Sequence, residues 1–256
     1  MQLFSKPKGD RRMAEALLKV KLLGKTENAK EIIYSACRQC YSADFSGDIY
    51  TNSLSAVSSP DTSKKITSFI EKVVASGHES PLEHVKFTFG IEGVSRALTH
   101  QLVRHRLASY SQQSQRYVKA SEFNYIVPPV FEKNKEMKQR FLGLMNNIQE
   151  GYNGLLSLLE KNGTVGEKAN QDARFVLPQA AETKIVVTMN ARELKHFFAH
   201  RCCARAQWEI RRLAEEMLKT CRKELPEVFN SAGAKCEALK YCPEGEKFTC
   251  GKYKPR

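Results

Sequence analysis

Between Val85 and Glu92 the chain alternates strictly: Val85, Phe87, Phe89 and Ile91 are apolar, and Lys86, Thr88, Gly90 and Glu92 separate them. This period of two specifies a strand with one face that other elements must cover. Most of the surrounding chain has helical period instead. Ala29, Ile32, Ile33, Ala36, Cys37 and Cys40 recur at helical spacing, as do Ile66, Phe69, Ile70, Val73 and Val74, a stripe that stops at Gly77 where a C-terminal glycine belongs. Helices are also predicted over 95–104, along the stripe from Phe141 to Leu159, over about 166–177 ahead of Pro178, and from Ala191 to about Leu225. Further strands are predicted at Val20–Leu23, at Phe123–Val127 ahead of Pro128-Pro129, and in the β-branched run Thr183–Met189. Ser42–Ser63, rich in Ser, Asp, Gly and Thr, reads as loop, and so does the polar stretch 109–116. Strands and helices never alternate in a sustained βαβ series, so the pattern specifies an α+β fold.

The chain has 256 residues, enough to bury a substantial core. Its 41 Lys and Arg against 28 Asp and Glu give a net charge of +13, and 41% of its residues are hydrophobic. That composition excludes disordered and collagen-like chains, and no apolar run approaches the roughly 18 residues of a membrane span. The opening MQLFSKPKGDRR lacks a signal-peptide run, and eight cysteines without an export signal fit a reduced compartment. A cytoplasmic protein with no membrane partner is therefore expected. The positive charge favours anionic partners. Lysines are scattered and close to acids, as in KNKEMKQR (133–140), whereas arginines concentrate in 104–116, at 174 and in 192–212. Clustered guanidiniums suit a bidentate grip on phosphate or carboxylate.

On a helical wheel, Val94, Ala97, Leu98 and Leu102 share one stripe; Gln101 and His105 fall inside it and Arg104 at its edge. Inward polar groups need partners. A lone basic residue here would simply complement the negative end of the helix. Arg104, His105 and Arg106 in a row, followed by Ser109, Ser111, Gln112, Gln113, Ser114 and Arg116, instead favour a site for a phosphate joined to a polar ring. The helix from Ala191 repeats the pattern: Leu194, Phe197, Phe198 and Cys202 define its apolar side, Arg201 falls among them, and Arg192 and His196 occupy a flank. Asn190 is its expected N-cap. On spacing alone, an internal salt bridge for Arg201 (Glu209 is one candidate) and a bound anion stand equally open. Gly77–His84, GHESPLEH, holds two His and two Glu, but their spacing matches no ligand pattern and no metal is expected.

Arg104-His105-Arg106, seven residues and then Ser114 form an RHR-x7-S signature that resembles the flavin-dependent thymidylate synthases. GHESPLEH, the strand VKFTF, His100-Gln101-Leu102-Val103, Ser114-Gln115-Arg116-Tyr117, Ala173–Pro178 (ARFVLP), Asn190-Ala191-Arg192 and Ala206–Ile210 (AQWEI) also resemble blocks of that family, in family order, across about residues 18–230. The resemblance implies an α+β fold with a central, mostly antiparallel sheet flanked by helices, in a homotetramer whose active sites are shared between subunits. It places the catalytic domain at 18–230, between a basic extension at 1–17 and a cysteine-bearing tail at 231–256. It implies methylation of dUMP to dTMP, with carbon from methylenetetrahydrofolate and electrons from NADPH through FAD. The absence of GxGxxG is no obstacle, because this family holds flavin without a Rossmann fold.

Carried over residue by residue, the resemblance puts dUMP on Gln101, Leu102, Val103 and Arg104 of one subunit and on Gln112, Gln113, Ser114, Gln115 and Arg116 of another, with Arg174 and Arg201 completing the pocket. Flavin would contact Ser80, Arg104, His105, Arg106, Gln112, Asn190, Ala191, Arg192 and His196, with His78 near the isoalloxazine. Arg201 would be catalytic, stabilising negative charge on uracil as N3 loses its proton and C5 becomes nucleophilic. Ser114 has no identifiable base beside it, so it reads as a hydrogen-bond donor rather than a nucleophile. Gln112 stands where some relatives carry Glu, which removes a charge near base and flavin. Cys37 and Cys40 read as small buried hydrophobes. Cys236, Cys242 and Cys250 lack the paired spacing of a zinc ribbon. The rival reading, a basic nucleic-acid binder, would show affinity falling steeply with salt and no chromophore; the resemblance points to no nucleic-acid partner.

Overall fold

The computed structural model describes residues 13–56 and 59–256. Most of the expected N-terminal extension, residues 1–12, lies outside them. Strand β1 (Lys19–Lys25) and helices α1 (Ala29–Gln39), α2 (Ser46–Ala56) and α3 (Pro60–Ala75) precede β2 (Lys86–Ser95). Helix α4 (Arg96–Leu102) leads to β3 (Ala108–Gln112), and after α5 (Pro129–Glu132), α6 (Lys135–Lys161) and α7 (Glu167–Ala173) the chain returns as β4 (Glu182–Asn190). Helices α8 (Ala191–Arg201), α9 (Trp208–Glu224), α10 (Pro226–Phe229) and α11 (Lys235–Leu239) complete it. The strands form one antiparallel sheet in the order β1-β2-β4-β3, an α+β arrangement. Among the described residues no helix is long and apolar enough to cross a membrane.

The residues divide into two compact units: one holds residues up to 19, 91–100 and 111–185, the other 20–90, 101–110 and 186–256. In the second unit the alternation of β2 has its expected consequence. Phe87 and Phe89 are fully buried, Phe87 meets Phe229 edge-on at 5.6 Å, and Phe198 of α8 meets Phe229 at 6.0 Å. Each buried ring contributes ~1.5–3 kcal/mol, so strand and helix are held together where they lead into the polar residues discussed below. On the other face, Thr88 and Thr188 share a hydroxyl hydrogen bond at 2.9 Å, which registers β2 on β4. In the first unit α6 is the organising element. Its buried Met145 packs with Phe123, Tyr125, Val127 and Ala181, and its buried Tyr152 and Leu156 pack with Ala169 and Ala173. Asn134 starts α6 earlier than the apolar stripe indicated, its side chain accepting from the Met137 N–H at 3.0 Å.

Several local expectations are corrected. Ser42–Ser63 is not all loop, because α2 occupies its middle. The hydroxyls that argue against helix are returned to helical carbonyls, Thr51 to Gly47 at 2.9 Å, Ser53 to Tyr50 at 2.7 Å and Ser55 to Thr51 at 3.0 Å. The run from Ala191 to Leu225 is two helices. Gln207 breaks it by capping α9, its side-chain oxygen accepting from the Glu209 and Ile210 N–H groups. Residues 109–116 begin as strand β3, a polar strand at the end of the strand order. Phe123–Val127 is not a strand: Tyr125 makes only isolated bridges to Glu15 and Ala181, and the segment's apolar side chains enter the α6 cluster. Ala97, expected on the inward stripe of α4, is exposed while Leu98 and Leu102 are buried, and α4 stops at Leu102, short of the expected 104.

Candidate active site

Helix α8 begins with the expected cap. The Asn190 side chain accepts from the Glu193 N–H at 2.8 Å, and the Ala191 N–H donates to the Val85 carbonyl at 2.8 Å, fastening the helix to the start of β2. Leu194, Phe197 and Phe198 are buried, and Arg201 on the same side is half-buried, as its position on the wheel required. Arg192 and His196 are exposed on the flank; Arg192 is paired with Glu83.

The turn after α4 brings a second set of basic groups beside this helix. The His105 N–H donates to the Leu102 carbonyl at 3.1 Å, and the Tyr110 hydroxyl sits 2.8 Å from both the Leu102 and His105 carbonyl oxygens. Burial raises the Tyr110 pKa well above its ordinary value, so the hydroxyl stays protonated and can donate there. Arg104 and Arg106 point outward, and among the described residues neither is ion-paired, whereas His105 between them is only 8% exposed. Its Nε2 accepts from Arg201 Nε at 3.1 Å, and its Nδ1 lies 3.2 Å from Glu193 Oε1. Burial, and then the charges of Arg201, His196 and His200, hold the His105 pKa down at about 4. Burial also raises the Glu193 pKa. Arg201 thus finds an imidazole, an arrangement neither of the two sequence alternatives contained.

These groups line a cavity of about 960 Å³, entirely within the second unit. Arg104, His105, Arg106, Asn190, Arg192, His196 and Arg201, all named from the sequence, line it together. Glu193 lines it too, and sequence reasoning missed it. The available signal was the Asn-x-x-Glu spacing of a capping box, although here the carboxylate turns to His105 instead of back to the cap. Arg205, Arg211, Lys235 and the thiols of Cys202, Cys203, Cys236, Cys242 and Cys250 complete the wall. Among the described residues no three His, Cys, Asp or Glu side chains converge so as to hold a metal ion. Size and charge suit a large anionic cofactor such as FAD: the volume lies at the upper end for small-molecule sites, and cations outnumber carboxylates around it.

Other residues named from the sequence are not among those that line the cavity. In the second unit, His78 meets the Tyr41 ring edge-on at 6.0 Å, Ser80 is exposed, Ala191 is buried, Gln101 is half-buried, Leu102 is buried and Val103 is exposed. In the first unit, Gln112 donates to the Thr99 and Thr183 hydroxyls at 3.1 and 3.2 Å, and the Gln113 N–H donates to the Lys184 carbonyl at 2.9 Å. Ser114 Oγ accepts from the Arg116 N–H at 3.1 Å, Gln115 is half-buried, and Arg116 pairs with Glu167. Arg174 Nε donates to the Gln171 carbonyl at 3.2 Å. Arg96, also missed, is half-buried, and burial and then the Arg174 charge push its pKa down. Two neighbouring guanidiniums without a carboxylate partner among the described residues make a place for an anion.

Comparison with known proteins agrees with this chemistry. A family profile described as Thymidylate synthase complementing protein matches residues 21–227. The chain is 56% identical to a flavin-dependent thymidylate synthase of Nitratidesulfovibrio vulgaris, over 92% of this chain and 95% of that one. It is 47% identical to one of Clostridium tetani, over 92% and 94%. Among solved structures, the crystal structure of a UMP/dUMP methylase from Streptomyces cacaoi bound with 5-Br dUMP aligns with a TM-score of 0.68 at 20% identity, covering 85% of this chain and 95% of that one, which establishes likeness of fold.

Proposed function

The chain belongs to the thymidylate synthase complementing protein family, that of the flavin-dependent thymidylate synthases, and from that premise we propose that it methylates dUMP to dTMP. We take methylenetetrahydrofolate as carbon donor, tetrahydrofolate as product and NADPH as reductant of FAD, and a cytoplasmic setting fits these pools. The observation that carries the reading is the half-buried Arg201 held by His105 on the wall of a cationic cavity.

Arg104, His105, Arg106, Asn190, Arg192 and His196 would hold FAD in that cavity, with Arg104 and Arg106, neither ion-paired among the described residues, free to meet its phosphates. When bound, the flavin supplies the reducing equivalents that convert the transferred carbon to a methyl group. Arg201 carries out the step that belongs to the protein. Its Nε is committed to His105, which leaves its two terminal NH2 groups for the uracil edge. A fixed cation there stabilises charge as N3 gives up its proton, and C5 becomes the nucleophile. Arg174, with Arg96 beside it, would meet the phosphate dianion, and Gln112–Arg116 would bind the nucleotide from a neighbouring subunit. Exposed Arg104 and Arg116, and the exposed Leu144, Leu155 and Leu158 of α6, are what an isolated chain of a homotetramer with shared sites would present. Residues 18–230 make up the catalytic domain, and 231–256 form an accessory tail.

The test is the purified protein's absorption spectrum followed by turnover. Flavin bands bleached by NADPH and dTMP formation from dUMP are expected. Arg201→Ala should keep fold and flavin while turnover falls ~10²–10³-fold, the scale for losing one preorganised charge-stabilising donor. Turnover that persists in Arg201→Ala removes the role assigned to this residue, and a colourless protein that takes up no flavin defeats the whole reading.

A further inference from the structure

Glu193 is a buried carboxylate on the first turn of α8, 6% exposed, and nothing above gives it a task beyond its contact with His105. The hydrogen-bond directions around that ring are dictated by chemistry. A guanidinium only donates and does not lose its proton, so the Nε2 that receives Arg201 Nε–H at 3.1 Å must be bare. A neutral imidazole with a bare Nε2 carries its proton on Nδ1, and Nδ1 faces Glu193 Oε1 at 3.2 Å. The ring cannot easily leave this pose: its backbone carbonyl is held by Tyr110, and Phe197 meets it edge-on at 4.9 Å. All of these groups belong to one compact unit.

We propose that Glu193 is a positioning residue, which locks His105 as the Nδ1–H tautomer and thereby aims the Arg201 guanidinium into the cavity. The proposal rests on the reading of Arg201 as the uracil-polarising cation. With the carboxylate gone, the proton is free to sit on Nε2, and the ring would then confront Arg201 with a donor and push it away. Burial works in the same direction as the carboxylate, keeping the ring neutral at neutral pH, with its pKa at about 4. Displacing a reacting group by ~1 Å can cost ~10²-fold in rate, so this relay matters without touching substrate.

The experiment combines nitrogen-15 NMR of the six histidines in the full-length protein with steady-state kinetics. The His105 signals are assigned by their loss in His105→Gln. In the wild type a protonated Nδ1 and a bare Nε2 are expected. Glu193→Gln offers Nδ1 an amide that can either accept or donate, so mixed tautomers are expected, with kcat per flavin-loaded protein down ~10–100-fold and KM for dUMP within about threefold. A purely structural Glu193 would lower thermal stability and leave tautomer and kcat unchanged, which would overturn the proposal. So would a wild-type ring protonated on Nε2 or on both nitrogens, and that measurement decides even if the variant does not fold. If Arg201→Ala turns over normally while the wild-type ring is Nδ1–H, the tautomer lock stands and the uracil-polarising reading falls.

Discussion

Replacing Gly93 with alanine should damage the protein far more than the same change at Gly90, three residues earlier in β2. Gly93 has φ +71°, and a β-carbon there would sit 1.9 Å from the Leu17 carbonyl oxygen and 2.3 Å from its carbonyl carbon. The left-handed conformation costs an L-residue ~1–2 kcal/mol. The clash involves backbone, so residues 17 and 18 must retreat until 1.9 Å becomes at least 3.4 Å. That retreat breaks one or two backbone hydrogen bonds at ~1 kcal/mol each. The total is ~3 kcal/mol, or a fall in Tm of ~6–12 °C for a chain of this size. Gly90 has no left-handed φ, and its β-carbon would meet only the exposed, movable Leu23 side chain at 3.3 Å, so Gly90→Ala should stay within ~1 kcal/mol of wild type. Thermal unfolding of the three proteins followed by circular dichroism measures this. Equal shifts, or a Gly93→Ala protein melting within ~2 °C of wild type, would refute the steric reasoning.

Gln149 is buried on α6, accepting from the Phe123 N–H at 2.9 Å and donating to the Ala120 carbonyl at 3.0 Å. Gln149→Leu strands both backbone groups and should cost ~2–4 kcal/mol, read from urea unfolding, with early exchange of the Phe123 amide; a loss below ~1 kcal/mol would count against it. Because burial and the neighbouring cations hold the folded pKa of His105 at about 4, below the ordinary 6.5 of the side chain, the unfolded chain binds the extra proton between those values. Stability should therefore rise with pH through that window and be lost as pH falls, by up to ~1.4 kcal/mol per unit. His105→Gln should flatten the pH dependence of the urea midpoint between pH 4 and 6.5, and an unchanged slope would show that the ring is not the source; His200, whose pKa is also lowered by burial, adds a slope of the same sign. Cys40, expected to be buried with Cys37, is exposed instead, so iodoacetamide should modify Cys40 and the exposed Cys250 before the buried Cys37 and Cys221, whose thiols burial holds above their ordinary pKa. Mass spectrometry that finds Cys221 labelled first would contradict that order.

Local pattern was enough to read much of this protein. The two-residue period of β2, the cap at Asn190 and the inward place of His105 and Arg201 follow from residue spacing, because apolar faces must be buried and helix ends must be satisfied wherever they occur. The RHR turn and its ordered companion blocks carried the family as well. Local pattern also misled where a side chain found its partner nearby but against propensity, as with the hydroxyls of α2 and the cap at Gln207. What spacing could not reveal was the partner of Arg201. It lies 96 residues away along the chain, is an imidazole where a carboxylate was sought, and is oriented by Glu193, a residue whose spacing marked it only as a helix cap. A hydrogen bond between distant residues leaves no periodic trace, so only the folded chain, by placing the α4 turn against α8, decides which group aims the arginine.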